Sequence, residues 1–278
     1  MNQKAEFYAP KGAKRGRVKL LTIAAHQDDA EIMSAHGVFQ ALGEKNTAFY
    51  AVITTDGSGS ARAGRYADFT DAEMMQVRRD EQKKAADIGK YGGLWLLNYT
   101  SAEVKNPADT AVIADFVEVI EKLKPEIIYT HNLCDKHDTH IGVALKAIAA
   151  VRKANKKYCP KLMYGCECWR ALDWMQDDQK TVFDTSGNDK KMAKLLAVFD
   201  SQIAGGKRYD LAAMGRQKAN ATYLSSHAVD TMTAANYGMD LTPLINDASI
   251  DPAGYALSFI DSFRADVAGK IAKFSKIQ

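Results

Sequence analysis

Leu20-Leu21-Thr22-Ile23-Ala24-Ala25-His26-Gln27-Asp28-Asp29-Ala30-Glu31 is the stretch around which the rest of the chain can be read. It opens as a run of small and apolar residues and ends abruptly in His, Asp, Asp and Glu. A buried apolar run that gives way to polar residues and then to helical spacing reads as a strand feeding a helix. Ile32, Ala35, Val38, Phe39 and Leu42 carry that helix over Asp29–Leu42, and Gly43 closes it. In an open α/β sheet, ligands sit at the carboxyl ends of the strands, so these acidic residues fall where chemistry is expected. His26 and Asp29 are three apart across the turn and can reach one metal ion. Asp28, between them, is left over as a base.

The alternation continues outward. Strands are expected at Val18–Ala25, Thr47–Thr54, Leu94–Tyr99, Glu126–Thr130 and Lys161–Glu167, with a sixth at Thr181–Asp184. Helices are expected between them at Asp71–Ile88, Asp109–Leu123 and Asp138–Ala154. Crossovers of this length suit parallel pairing. The expected fold class is therefore α/β: a doubly wound three-layer sandwich on a mostly parallel sheet, followed by a helical carboxyl-terminal extension. In segments, that means a flexible amino-terminal arm over 1–17, a catalytic domain over 18–187, and a mostly helical extension over 188–278 packed on the same domain.

With 278 residues the chain can bury a full core as one α/β domain. Its 37 basic and 34 acidic residues are interspersed, for a net charge of +3, which argues against nucleic acid as a partner. No stretch approaches the roughly 18 apolar residues of a membrane span. The first nineteen residues are basic and polar without an apolar segment, so the expectation is a cytoplasmic protein with no signal peptide. Cys134, Cys159, Cys166 and Cys168 match no zinc-ribbon spacing and read as reduced thiols. Assembly into a homo-oligomer is left open by the sequence.

A second constellation, Asp135-Lys136-His137-Asp138-Thr139-His140, follows the strand at Glu126–Thr130. If Asp138 starts the next helix, His137 and His140 lie one turn apart on the same side. The sheet brings this loop to the same edge as His26–Asp29. His26, Asp29 and His140 together make two imidazoles and a carboxylate, a common ligand set for catalytic zinc with a position open for water. Asp28 can take the proton of that water, and His137 can stabilise an oxyanion or protonate a leaving amine. Each cluster also has a plainer reading, since Asp28, Asp29 and Asp138 are good helix caps. Two such clusters, each after a β-rich run, favour the metal site.

The segment Ala25-His26-Gln27-Asp28-Asp29-Ala30-Glu31 resembles the Ala-His-Pro-Asp-Asp-x-Glu signature of the PIG-L/LmbE-like zinc N-deacetylases. Asp135–His140 resembles that family's Asp-x-His-Pro-Asp-His, and Val77-Arg78-Arg79-Asp80-Glu81 with Ala85-Ala86 is similar to its Arg-x-x-Glu…Ala-Ala helix. The resemblance covers residues 18–155 well and implies a Rossmann-like fold. It implies Zn²⁺ on His26, Asp29 and His140, with Fe²⁺ or Co²⁺ as substitutes. It also implies Asp28 as general base and His137 as oxyanion stabiliser or acid. Gln27 stands where the family has Pro, and Asp138-Thr139 where it has Pro-Asp. The carboxylate between the two histidines is thus displaced, and Asp135 or Asp138 is left to orient the ring. Glu31, Asp135 and Asp138 are the expected supports around the ligands.

The family's substrates are N-acetylglucosamine conjugates or related N-acyl amines, so the expected partner is a small N-acyl amine or amino sugar. Substrate contacts are expected from Asp56, from Arg62, Arg65 and Arg78 toward an anionic group, and from Trp169 by stacking. The competing readings are a metal-dependent hydrolase of another amide or an ester, and a non-catalytic sugar- or nucleotide-binding module.

Overall fold

The apolar opening strand is unbroken because both of its faces are covered. In the computed structural model, which describes residues 1–155 and 157–275, Leu21, Ile23 and Ala25 point into one core and Leu20 and Ala24 into another on the opposite face. This is the two-residue alternation of a strand buried on both sides.

The first part of the chain runs β1 (Glu6–Tyr8), β2 (Val18–Ala24), α1 (Asp29–Met33), α2 (Ala35–Gly43), β3 (Thr47–Thr55), α3 (Asp71–Gly89), β4 (Gly93–Tyr99), α4 (Ser101–Lys105), α5 (Ala111–Leu123), β5 (Ile127–His131) and α6 (Asp138–Ala154). It continues with β6 (Leu162–Cys166), β7 (Lys180–Asp184), α7 (Asp189–Leu196), α8 (Asp200–Ile203), α9 (Tyr209–Thr222), β8 (Ala235–Asp240), α10 (Thr242–Asn246) and α11 (Pro252–Phe274). One eight-stranded sheet holds the strands in the order β1-β4-β3-β2-β5-β6-β8-β7. The pairs from β4 through β6 are parallel, and β1 and β8 run antiparallel to their neighbours. The fold is the α/β sandwich expected.

From β2 the chain steps outward through β3 to β4, then returns to place β5 on the other side of β2. The strand order reverses at β2, so the loops after β2 and β5 diverge over a crevice at their carboxyl ends. That is the ligand position in doubly wound sheets. Local signals set the helices around it. Thr70 and Glu73 form a capping box that starts α3, and Lys124 in the left-handed region ends α5 just before Pro125.

Three features depart from the sequence expectation. The arm over 1–17 contributes β1, paired with Leu94–Leu96 of β4, and Asn2 is tied to Asp115. Three residues are too few to show a period. The helix expected over Asp29–Leu42 breaks at Ser34 into α1 and α2. The extension over 188–278 contributes a strand, β8, between β6 and β7. Its sequence Ala-Asn-Tyr-Gly-Met-Asp lacks β-branched residues, so propensity did not mark it. Gly238 is needed there, because a Cβ would lie 2.7 Å from the Phe183 ring. No helix of the described residues is long and apolar enough to cross a membrane.

Candidate active site

The turn after β2 is strained where it matters. Asp28 has φ 88°, a conformation rare for a residue with a side chain, and such strain persists only when neighbours hold it. They do: Asp28 N–H donates to Gln82 Oε1 (3.1 Å), and Arg78 donates to Gln27 O and to Asp28 Oδ2, the latter at 2.8 Å. Gln82 and Arg78 both come from α3. Gly57, with φ 80°, lets the loop after β3 pass close to Gln27 and Arg78, where a Cβ would meet Gln27 Oε1 at 2.8 Å.

His26, Asp29 and His140 converge. His26 Nδ1 is 3.1 Å from Asp29 Oδ2 and 3.2 Å from His140 Nε2, and His140 Nε2 is 3.3 Å from the same carboxylate oxygen. Ligands bound tetrahedrally at about 2.0–2.1 Å lie about 3.3 Å apart, so this near-equilateral triangle suits such an ion. Two ring nitrogens and a carboxylate facing one another also need a cation between them. In the chain alone a proton supplies it. Burial works against a charge on His140, but Asp29 and Asp135 overcome it and raise its pKa to about 9. Burial likewise opposes the charge on Asp29, yet His140 and His131 hold it well below the usual carboxylate range. A divalent ion would displace that proton. The residues therefore fit a metal.

His137 joins the same cluster: its nearest ring nitrogen and those of His26 and His140 all lie within 4.8 Å of one another. Burial first, and the charge on His140 second, lower its pKa to about 4, so it is a neutral imidazole at pH 7. Asp28, wholly buried, is pushed up to about 7 by desolvation, with Arg78 pulling it partway back. A carboxylate so poised is a serviceable base near neutrality.

The supports differ in part from those expected. Asp135 accepts from His137 N–H (3.1 Å) and Trp169 N–H (3.0 Å) and lies 3.4 Å from His140 Nδ1. Asp138 is exposed at the start of α6 and faces none of the rings. Glu31 is buried between Gln82 Nε2 (2.8 Å) and Tyr91 Oη (2.6 Å), tying α1 to α3. His131 and Cys168 crowd the same carboxylate, Asp29. His131 Nε2 accepts from Ala25 N–H (2.9 Å) and lies 3.5 Å from Asp29 Oδ2, while Cys168 Sγ donates to Asp29 Oδ1 (3.2 Å).

The cleft over this cluster encloses about 470 Å³ and is lined by Asp56, Trp169, Lys105, Lys207 and Tyr209, among others. Asp56 and Trp169 line this cleft, and the ammonium groups of Lys136 and Lys207 lie over the Trp169 ring. Of the three arginines, Arg78 lines the cleft, whereas Arg62 and Arg65 do not. Arg62 pairs with Asp71 (2.5 Å) and Arg65 with Asp200, both off the cleft wall. Arg78 is buried and holds Asp28 and Glu81. Lys207 and Tyr209, from the extension, and Lys105 take the places facing the cleft. Isolated lysines and a tyrosine with no motif around them carry no sequence signal.

Fold and site together define a doubly wound α/β protein with a two-histidine, one-carboxylate centre at the reversal of strand order. Residues 21–151 match the family model described as PIG-L: GlcNAc-PI de-N-acetylase. No curated protein sequence matches it. Among solved structures it is similar to N,N'-diacetylchitobiose deacetylase from Pyrococcus horikoshii, at a TM-score of 0.64 and 15% identity, over 82% of this chain and 85% of that one. It is also similar to GalB, the 4-carboxy-2-hydroxymuconate hydratase of Pseudomonas putida KT2440, at 0.62 and 19%, over 81% and 96%. A third is the A40926 pseudoaglycone deacetylase, at 0.60 and 13%, over 81% and 97%. At these identities the likeness is one of fold.

Proposed function

We propose that the protein is a metal-dependent N-deacetylase that removes acetate from a small N-acetylated amino sugar or its conjugate, with zinc as the metal. The observation that supports this most is the triangle of His26, Asp29 and His140 donors beside a buried carboxylate, Asp28, within the residues that match the PIG-L model. A bound divalent ion supplies Lewis acidity at an acyl carbonyl and makes water a better nucleophile. The chain supplies the rest. Asp28 accepts the proton of the attacking water and returns it to the leaving nitrogen, so that the C–N bond breaks to acetate and a free amine. His137, neutral, donates a hydrogen bond to the oxyanion. Trp169 offers a stacking face for a pyranose ring, and Lys105 and Lys207 favour a substrate with an anionic substituent.

Acetate release from a panel of N-acetylated sugars, with and without a chelator, tests this reading. Chelator-sensitive release of acetate and amine in equal amounts is expected. The neighbouring hydratase shows that the same fold hosts water addition, and a protein that binds metal but frees no acetate from any of the panel would sink the deacetylase reading.

A further inference from the structure

Helix α11 is 23 residues long, and Ala256 is its one buried residue among those described. Its first half lies on the body. Tyr255 Oη donates to Asp240 O (2.7 Å), Gln179 Nε2 to Ser262 Oγ (3.3 Å), and the Phe263 and Trp174 rings are 6.1 Å apart. Over 264–274 every residue except Asp266 is exposed. The side chains left uncovered are not polar ones. Leu257, Ile260, Phe263, Val267, Ile271 and Phe274 are 55%, 40%, 38%, 38%, 63% and 60% exposed and recur every three or four residues, which puts them on one stripe. A continuous apolar face of this size marks an interaction surface, and the uncovered stretch 264–274 is by itself shorter than the roughly 12–15 residues an isolated helix needs in water. At the body end the stripe runs into an apolar groove of about 690 Å³, walled by α11 and by Leu133, Cys134 and Trp174.

We propose that α11 pairs antiparallel with α11 of a second copy of this chain, about a two-fold axis beside Val267. The stripe is self-complementary in that register. Ile260 lies over Phe274 of the second copy and Phe263 over its Ile271, so the free end of each helix covers the groove of the other. Such an interface is closed, because each contact occurs twice. The charges favour this direction. Asp261 and Asp266 precede Lys270 and Lys273 along the helix, so an antiparallel partner sets acidic residues beside basic ones and a parallel partner sets like beside like. Arg264 falls opposite Lys270 of the second copy in this register, but each is paired within its own helix, Arg264 with Asp261 at 3.1 Å and Lys270 with Asp266 at 2.7 Å, while Asp261 faces Lys273.

Light scattering on the full chain across a concentration series tests the proposal. The wild type should show twice the mass of the chain. Val267→Asp and Ile271→Asp should halve that mass and leave a folded monomer, by circular dichroism, because both side chains are exposed on their own chain. Under oxidation, Val267→Cys should give a disulfide-linked dimer, whereas Ala265→Cys, on the far side of the helix, and the wild type should not. The proposal is overturned by a monomeric wild type at every concentration or by a dimer that survives Val267→Asp. Equal crosslinking from position 265 would also overturn it, as would a monomer whose α11 binds vesicles of anionic lipid.

Discussion

Replacing Arg78 should move the base without touching the metal donors. The guanidinium is 2% exposed and is shared between Asp28 Oδ2 (2.8 Å), Glu81 Oε2 (3.2 Å) and Gln27 O. In Arg78→Met, Asp28 and Glu81 lose their common cation while staying buried. Removing one partner of a buried ion pair costs about 3–5 kcal/mol. A domain is stable by only about 5–15 kcal/mol, so that variant is marginal and serves for unfolding measurements alone. Arg78→Lys keeps the charge, but a single ammonium cannot replace the guanidinium fork on three acceptors. Its expected loss is about 1–3 kcal/mol, that of a charged hydrogen bond left unmade. The kinetic effect follows from Asp28. Burial pushes its pKa up to about 7, and Arg78 is the main group that opposes the rise. Weakening Arg78 lets the pKa climb. The base acts when ionised, so the rising limb of kcat against pH should move to higher pH. Each unit of displacement, about 1.4 kcal/mol, costs tenfold in rate on the acid side. A bound cation lowers the limb in wild type and variant alike, and the difference survives. The assay is acetate release over a pH series, with KM and kcat resolved. A raised KM on an unmoved limb would refute the reasoning and make Arg78 a substrate anchor.

Asp28→Ala should keep the metal, measured by elemental analysis, and lose about 10²–10⁴-fold in turnover, whereas His140→Ala should lose both; full activity without Asp28 would remove it as base. His36 is buried, has no hydrogen-bond partner among the described residues on either ring nitrogen and stacks on Phe183 at 3.8 Å, and burial lowers its pKa to about 3. The unfolded chain therefore binds a proton there below about 6.5 that the folded one refuses. Stability is intact above that pH and falls by about 1.4 kcal/mol per unit as the pH drops toward 3, about 2 kcal/mol by pH 5. His36→Phe should flatten this slope in urea unfolding at pH 7 and pH 5, and an unchanged slope would show that another group carries it. Trp169→Ala should raise KM for amino sugars about 2- to 10-fold, the equivalent of about 0.5–1.5 kcal/mol, with little change in the metal content, and an unaltered KM would take Trp169 out of the substrate's path.

How much of this was legible in the sequence follows from the range over which each feature is encoded. β2, β3 and β5 are apolar because they are buried on both faces, and that signal lies within a few consecutive residues. The donors at His26, Asp29 and His140 follow those strands directly, so finding the strands finds the site. β1 and β8 carry no such signal, because each is held by a neighbour distant in sequence: β1 by Leu94–Leu96, and β8 by β6 and β7. The same reason hides the cleft wall. Lys207 and Tyr209 reach it from α9 and the turn before it, and nothing local to them announces a cleft. Pairing between arginine and carboxylate is likewise settled by tertiary distance, which is why Arg62 and Arg65, basic residues in a loop, turn to Asp71 and Asp200 and away from the cleft.

The displaced carboxylate in the second motif shows the limit most sharply. Asp138-Thr139 moves a negative charge by one residue, and one residue in the first turn of a helix is about 100° of rotation. The carboxylate of Asp138 accordingly points to solvent. Asp135 lies before the helix, in a loop whose direction no helical period governs. Its carboxylate is buried, with one oxygen on His137 N–H and the other on Trp169 N–H and beside His140 Nδ1. It thereby joins His140, His137 and Trp169, three residues of the proposed site. Asp135→Asn preserves the size and both acceptor positions in part but removes the charge that raises the basicity of His140. Its expected outcome is a metal affinity about 10–100-fold weaker, read by chelator competition, while Asp138→Asn leaves that affinity unchanged. The reverse result would return the orienting role to Asp138 and require α6 to begin differently in solution.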